Sequence, residues 1–327
     1  MLSSNLKQIA KYSLLLFSLG VITQNCSTGS SQEEKILFKV GKGWGASKVT
    51  SELIAKEIIP GKFSFRLYLI LTGSSSCIKA GSYQLSKGQA YSEISDILCS
   101  GNSITVDFTI PEGYNNRQIG DLLTKMGYAK SREEFLTLSR DPALLAKYSI
   151  PAETIEGYLF PETYKIPVDF SLLQITDVML QKMQDVLKEQ VKTELTGADL
   201  HKKMILASIV EREAQRKEER TTIAGVFQNR LDQSIPLESC ATVQYLFEKP
   251  KARLLYTDLE IKSPYNTYIN PGLPPAPISN PGAEALKAAF NPEKTEYLYF
   301  VLKGDGYHKF SRTFKEHLDA KKKYIGP

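Results

Sequence analysis

Histidine, cysteine and tryptophan are scarce in this chain: three, four and one among 327 residues. His201, His308 and His317, with Cys26, Cys77, Cys99 and Cys240, form no C-x-x-C, H-x-x-x-H or HExxH spacing, which argues against structural zinc and a metalloprotease. No G-x-x-x-x-G-K-[ST] loop and no G-x-G-x-x-G turn occurs, so nucleotide chemistry drops out. An excess of one charge is also lacking. Against 41 Lys+Arg stand 36 Asp+Glu, a net of +5 with no dense basic stripe, so no nucleic-acid partner is expected. A protein without metal or cofactor remains.

With 42% hydrophobic and 24% charged residues, the composition is that of a globular protein. The length allows two domains of about 150 residues, or two plus a leader. Lys7 and Lys11 precede the apolar run 12–22, far short of the roughly 20 residues a spanning helix needs but within the range of an export core. Cys26 follows, then the polar stretch 27–34, too weak to pack. The pattern resembles a bacterial lipoprotein signal at residues 1–26; a short single-pass anchor is the other reading. Either places the bulk of the chain outside the cytoplasm, tied to the membrane by its N-terminus. In that oxidising space Cys77 and Cys99 are free to pair, and two buried thiols are the alternative.

Three segments align without gaps, with glycines at 43, 88 and 113. Each has a strand-like run before its glycine and apolar residues six and ten positions after it: Val49 and Leu53, Ile94 and Leu98, Ile119 and Leu123. A spacing of four is one face of a helix, and glycine permits a tight turn. The expected unit is strand, glycine turn, amphipathic helix, and short βα modules of this kind resemble LysM domains. The expected fold class is α+β: a βα-repeat, LysM-like domain over 35–128, a helical connector over 129–200, and a mixed α+β domain over 201–327 ending in a hairpin.

The connector reads as a helix over 131–148, a rigid aromatic loop over 155–164 with carboxylates at Glu156 and Glu162, and one long helix over 171–195. The two carboxylates are ion-pair partners or line a cleft. Chemistry is carried further on. Residues 204–210 are apolar on nearly every helical face, as in a buried rod, and run into Glu211-Arg212-Glu213. Glu211 emerges from the rod's end. Burial disfavours its ionised form and raises its pKa, as a general acid requires. A buried salt-bridge partner is the competing reading. Glu213 lies about 200° round the helix, so the two form no dyad on one face; it orients neighbours or pairs with Arg212 or Arg216. Five prolines between 271 and 281 exclude helix and central strand and build a stiff wall. Tyrosines and amides suit sugar, through ring faces and hydroxyl bonds, and Gln244, Tyr265, Asn266, Tyr268 and His308 are expected beside the substrate.

The motifs IPEGY (110–114), EGYLFPETY (156–164), ASIVERE (207–213), TVQY (242–245), SPYNTY (263–268), GLPPAPISNPG (272–282) and GYHKFSRTFKEH (306–317) occur in this order. On them the chain resembles the endolytic murein transglycosylases, the MltG or YceG-like family. The resemblance implies that Glu211 is the catalytic residue and Glu213 the second acidic position. It further implies cleavage of the β-1,4 bond between N-acetylmuramic acid and N-acetylglucosamine in peptidoglycan glycan strands, leaving 1,6-anhydro ends. Peptidoglycan synthases are the implied partners. Where the family usually has an Asp-Pro pair before TVQY, this chain has Ser239-Cys240-Ala241.

Overall fold

A computed structural model describes residues 34–326, and the contacts divide it into two compact units that meet between Asn102 and Ser103. The leader call over 1–26, and most of the tether after it, lie outside the described residues.

The first unit is built on β1 (Lys35–Val40) and β2 (Gly81–Ser86), which are antiparallel with Phe38 opposite Tyr83. Between them come α1 (Ala46–Ala55) and α2 (Lys62–Leu71); α3 (Tyr91–Ser100) follows β2. Strand side chains alternate between two faces, and Phe38, Val40, Tyr83 and Leu85 point into a core closed by Val49, Leu53, Phe65, Leu69, Ile94 and Leu98. A disulfide joins Cys77 to Cys99 across a separation of 22 residues.

The second unit opens with β3 (Thr105–Thr109) and α4 (Asn116–Lys125), the third copy of the strand–turn–helix motif. The expected repeat domain over 35–128 is therefore divided. β3 takes its partner from far along the chain, pairing antiparallel with β4 (Thr163–Pro167), and the first unit ends at residue 102. Local pattern specifies a strand but not its partner.

Between α4 and β4 the expected single helix is two, α5 (Arg132–Leu138) and α6 (Pro142–Lys147). Proline has no N–H to donate inside a helix and fits a first helical position; Asp141 accepts the Ala143 N–H and caps the new start. The expected long helix over 171–195 is α7 (Leu172–Val186), followed by a π turn (Leu187–Val191) that closes on Lys192 at φ 56°. Then come α8 (Gly197–Glu213), α9 (Arg220–Asp232), α10 (Cys240–Gln244) and α11 (Ala283–Phe290). The expected hairpin is present as β5 (Tyr299–Leu302) and β6 (His308–Ser311), followed by α12 (Phe314–Tyr324). The mixed helix-and-strand architecture is α+β.

The rod at the centre of the second unit is α8. Met204 to Val210 are all at most 4% exposed, packed by α9, α10 and α11. Its one polar member, Ser208, satisfies its hydroxyl on the Ile205 carbonyl at 2.7 Å and accepts the Ile278 N–H at 3.0 Å. The Ser279 hydroxyl in turn donates to the Ser208 carbonyl at 3.1 Å. These bonds fasten the proline-rich loop to the rod and so set where its glycine end, Gly282, must lie.

Candidate active site

Successive residues on a helix point about 100° apart, and the last turn of α8 sends three consecutive side chains to three places. Glu211 turns toward the start of α9 and the end of the proline-rich loop. Its side chain is 5% exposed. Arg220 Nη2 donates to one carboxyl oxygen at 2.8 Å, and the Gly282 N–H donates to the other at 3.0 Å. Both structural ingredients weighed for Glu211, burial and a salt-bridge partner, are therefore present together.

A second carboxyl shares the guanidinium. Glu112, in the turn after β3, lies 3.5 Å from Arg220 Nη2 and is 43% exposed. The turn that carries it needs Gly113, at φ +78°, where a Cβ would stand 3.4 Å from Arg212 and 3.7 Å from Glu211. At Gly282 a Cβ would overlap the Glu112 carboxyl, so a side chain there would displace that carboxyl from its place beside Arg220. Two glycines thus bring two loops onto one ion pair. Burial pushes the Glu211 carboxyl above the ordinary 4.5, and the Glu112 charge adds to the push. Arg220, the Gly282 N–H and Arg212 pull the other way without overcoming it.

Beneath this pair sits a buried carboxylate, Glu156, 3% exposed. The Asn116 N–H at the start of α4 donates to both its oxygens, at 3.0 and 3.1 Å. Tyr245 Oη and Asn280 Nδ2 donate as well, each at 3.3 Å. Burial raises its pKa to about 7 against those donors. Asn280 continues the chain of bonds: its N–H donates to the Tyr114 carbonyl at 2.8 Å, and its carbonyl accepts the Gly113 N–H at 2.9 Å. Glu156 therefore ties together the two loops that embrace Glu211. Glu162, the other carboxylate of that motif, makes an ion pair with Lys182 at 2.9 Å.

Arg212 turns away from Glu211's partners to a small recess with Gly113, Gln244 and Tyr245. Gln244 is engaged with its own loop, its amide bonding the Lys251 carbonyl at 2.9 Å and accepting the Lys251 N–H at 2.8 Å. Glu213 takes the third direction. It accepts from the Ser239 hydroxyl at 2.5 Å and the Ala241 N–H at 3.2 Å, so of the two expected roles it holds neighbouring groups and not Arg212 or Arg216. Arg216 instead donates to the Asp305 carbonyl at 2.9 Å.

Beside Glu213 opens a cleft of about 300 Å³ lined by Ser239, Cys240, Tyr268, His308 and His317 among others. Tyr268 Oη lies 3.1 Å from Cys240 Sγ. His308 is held by Glu219, which accepts its backbone N–H at 3.0 Å and lies 2.8 Å from its Nδ1. Of the side chains expected near substrate, Glu213, Tyr268 and His308 share this cleft, and Gln244 lines the recess. Glu211 lines neither.

One expectation needs correction. Asn266 is completely buried, and its amide donates to the Leu259 and Ile261 carbonyls at 2.8 and 2.9 Å, so it shapes its loop and has no free face for a sugar. Tyr265 is half-buried, its ring 5.1 Å from that of Tyr245. Sequence reasoning also passed over Arg220, Glu112 and Glu219. The one available signal was weak: Glu219-Arg220 closes a charged run at the start of an amphipathic helix, a place usually given to solvent.

A family model described as the YceG-like family matches residues 38–323. Among curated proteins, the endolytic murein transglycosylase of Bacillus subtilis (strain 168) is 36% identical over 308 residues, 88% of this chain and 84% of the relative. The endolytic murein transglycosylase of Streptococcus pneumoniae serotype 2 is 31% identical over 283 residues; that covers 75% of this chain and about half, 51%, of the longer relative. A crystal structure of a YceG-like protein from Listeria monocytogenes is similar with a TM-score of 0.57 at 32% identity, over 88% of this chain and 99% of that one.

Proposed function

The chain belongs to the YceG-like family, and from that premise we propose that it is an endolytic peptidoglycan lytic transglycosylase with Glu211 as its acid and base. The observation that carries the assignment is a buried carboxyl at the end of an apolar rod, with its pKa raised by burial and its ionised form met by Arg220 and the Gly282 N–H.

The chemistry needs one such group. Protonated Glu211 gives its proton to the oxygen between N-acetylmuramic acid and N-acetylglucosamine, and the C1–O bond breaks. The carboxylate left behind is stabilised by Arg220 and the Gly282 N–H. It then takes the proton from the muramyl C6 hydroxyl, whose oxygen closes on C1 to form the 1,6-anhydro ring. No water is consumed and Glu211 ends protonated, ready for another turnover. Hydrolases of this bond class use two carboxylates spaced for a water or a covalent intermediate. Glu213, held by Ser239 and Ala241, points elsewhere. Glu112 shares Arg220, and its charge adds to the upward push on the Glu211 pKa.

The first unit supports a LysM-like, wall-binding reading through its order of strand, two helices and an antiparallel strand. Anchoring to the cell membrane through the leader, by lipid at Cys26 or by a short span, follows from the export-like run 12–22. Cleavage within nascent strands beside a peptidoglycan synthase would terminate their elongation. The decisive experiment digests purified sacculi and weighs the products for wild type and Glu211→Gln. Anhydro-muramic ends that vanish in the variant are expected. Reducing muramic ends would instead identify a hydrolytic muramidase, and products that persist in the variant would move the chemistry off Glu211. Mass analysis of the mature N-terminus tests the anchor: an unmodified Cys26 rejects the lipid form.

A further inference from the structure

Helix α2, KFSFRLYLIL, is apolar on two opposite faces. Phe65 and Leu69 are fully buried in the first unit's core. The other face carries Phe63 at 80% exposure, Leu67 at 42%, Ile70 at 61% and Leu71 at 78%. At 100° per residue these four fall within a stripe about 100° wide, the width by which a helix seats on an apolar surface. Soluble surfaces rarely leave so contiguous a patch uncovered. Exposed Lys62 and Arg66 flank it on one side, and the helix holds no acidic residue.

We propose that this face of α2 docks on an anionic lipid bilayer, holding the first unit against the membrane surface. The charge matches that partner. Residues 34–102 contain nine Lys+Arg and five Asp+Glu, so this unit holds +4 of the chain's net +5. An amphipathic helix with bulky apolar residues on one side and basic residues at the margin lies in the headgroup boundary, driven by buried apolar area and attraction to anionic lipid. Reach matches too. The stretch 27–34 between Cys26 and β1 spans at most about 29 Å when fully extended, so an anchored leader delivers the first unit to the bilayer. The docking rests on the anchoring reading but is separable from it. The leader supplies attachment, whereas α2 supplies orientation.

The test uses the full chain on vesicles of phosphatidylethanolamine and phosphatidylglycerol with brominated acyl chains. A Trp44→Phe background removes the native tryptophan, and Leu71→Trp places a probe on the stripe. Tyr256→Trp, at a position 89% exposed in the second unit, is the control. Flotation reports attachment, and bromine quenching reports docking. Floated protein should show about twofold quenching at position 71 and little at 256, reduced when phosphatidylglycerol is replaced by phosphatidylcholine. The added pair Phe63→Glu and Ile70→Glu should abolish quenching while flotation persists. Flotation without quenching at 71 overturns the docking and leaves the anchor standing. A blue-shifted but unquenched probe overturns it in favour of a second copy of the chain as occupant. Failure to float removes the anchor and the docking together.

Discussion

Three copies of one strand–glycine turn–helix motif do two different jobs. In each, the glycine is left-handed, with φ of 80° at Gly43, 74° at Gly88 and 78° at Gly113. The apolar pairs that follow, Val49 and Leu53, Ile94 and Leu98, Ile119 and Leu123, are all 0% exposed. Beyond this the copies diverge. A Cβ on Gly43 or Gly88 would meet nothing within 4 Å, whereas one on Gly113 would touch Arg212 and Glu211. The first two turns serve a core alone. In the third, the same local geometry sits on a charged centre, and the carboxyl next to its glycine, Glu112, shares Arg220 with Glu211. The third turn gains its chemistry from what packs on it and from the one carboxyl it carries, where the other two carry Lys42 and Lys87.

The sharpest separation of the two regions comes from Glu211→Gln. It should lower kcat by about 10³-fold, equivalent to about 4 kcal/mol, because a general acid contributes on that scale. The melting curve should stay near wild type, and anhydro-end release is the measurement. A variant with comparable turnover would leave the third copy as inert as the others.

Glu156 gives an effect of similar size in stability. Its pKa lies near 7 in the folded chain against an ordinary 4.5, so the folded form keeps the proton more tightly. The stabilisation is therefore full below about pH 4.5 and is lost as pH rises through 7, a change of about 3 kcal/mol across that window. Chemical denaturation from pH 4.5 to 8 should show the second unit weakening, and Glu156→Gln should flatten the trend. An unchanged slope in the variant would place the titration elsewhere.

In the first unit the comparable lever is covalent. Replacing Cys77 and Cys99 by serine should destabilise that unit by about 3 kcal/mol, the chain-entropy value for a loop of this length. Calorimetry should show its transition moving while that of the second unit stays put. Smallest are the glycines themselves. Alanine at φ near +75° costs about 1–2 kcal/mol at any of the three turns. Gly113→Ala should also depress kcat, because the strained turn lies in contact with Arg212 and Glu211, while Gly43→Ala and Gly88→Ala should leave kcat alone. Equal kinetic effects at all three would dissolve the contrast.

Much of the fold is legible in the sequence. Helix α11 begins and ends where the sequence places it, at Ala283 and Phe290, and the proline-rich stretch forms neither helix nor strand. Both rest on local rules: the capping loop before the helix and the missing amide of proline. The break at Pro142 was misread because apolar periodicity continues across it, and a proline that starts a helix resembles one that merely interrupts it. Asn266 was misread for another reason. An amide's type says that it will bond, not whether its partner is a sugar or its own loop's carbonyls.

The position of Glu211 at the tip of a greasy rod is a property of one continuous segment, so periodicity alone could reveal it. Its partners come from three others. Arg220 lies nine residues on across a bend, Gly282 is 71 residues away and Glu112 is 99 residues back. No periodicity links such positions, because an ion pair depends on distance in space. That distance is set by how the rod, the proline-rich loop and a glycine turn pack, and packing settles which carboxyl is buried, which is shared and which faces water.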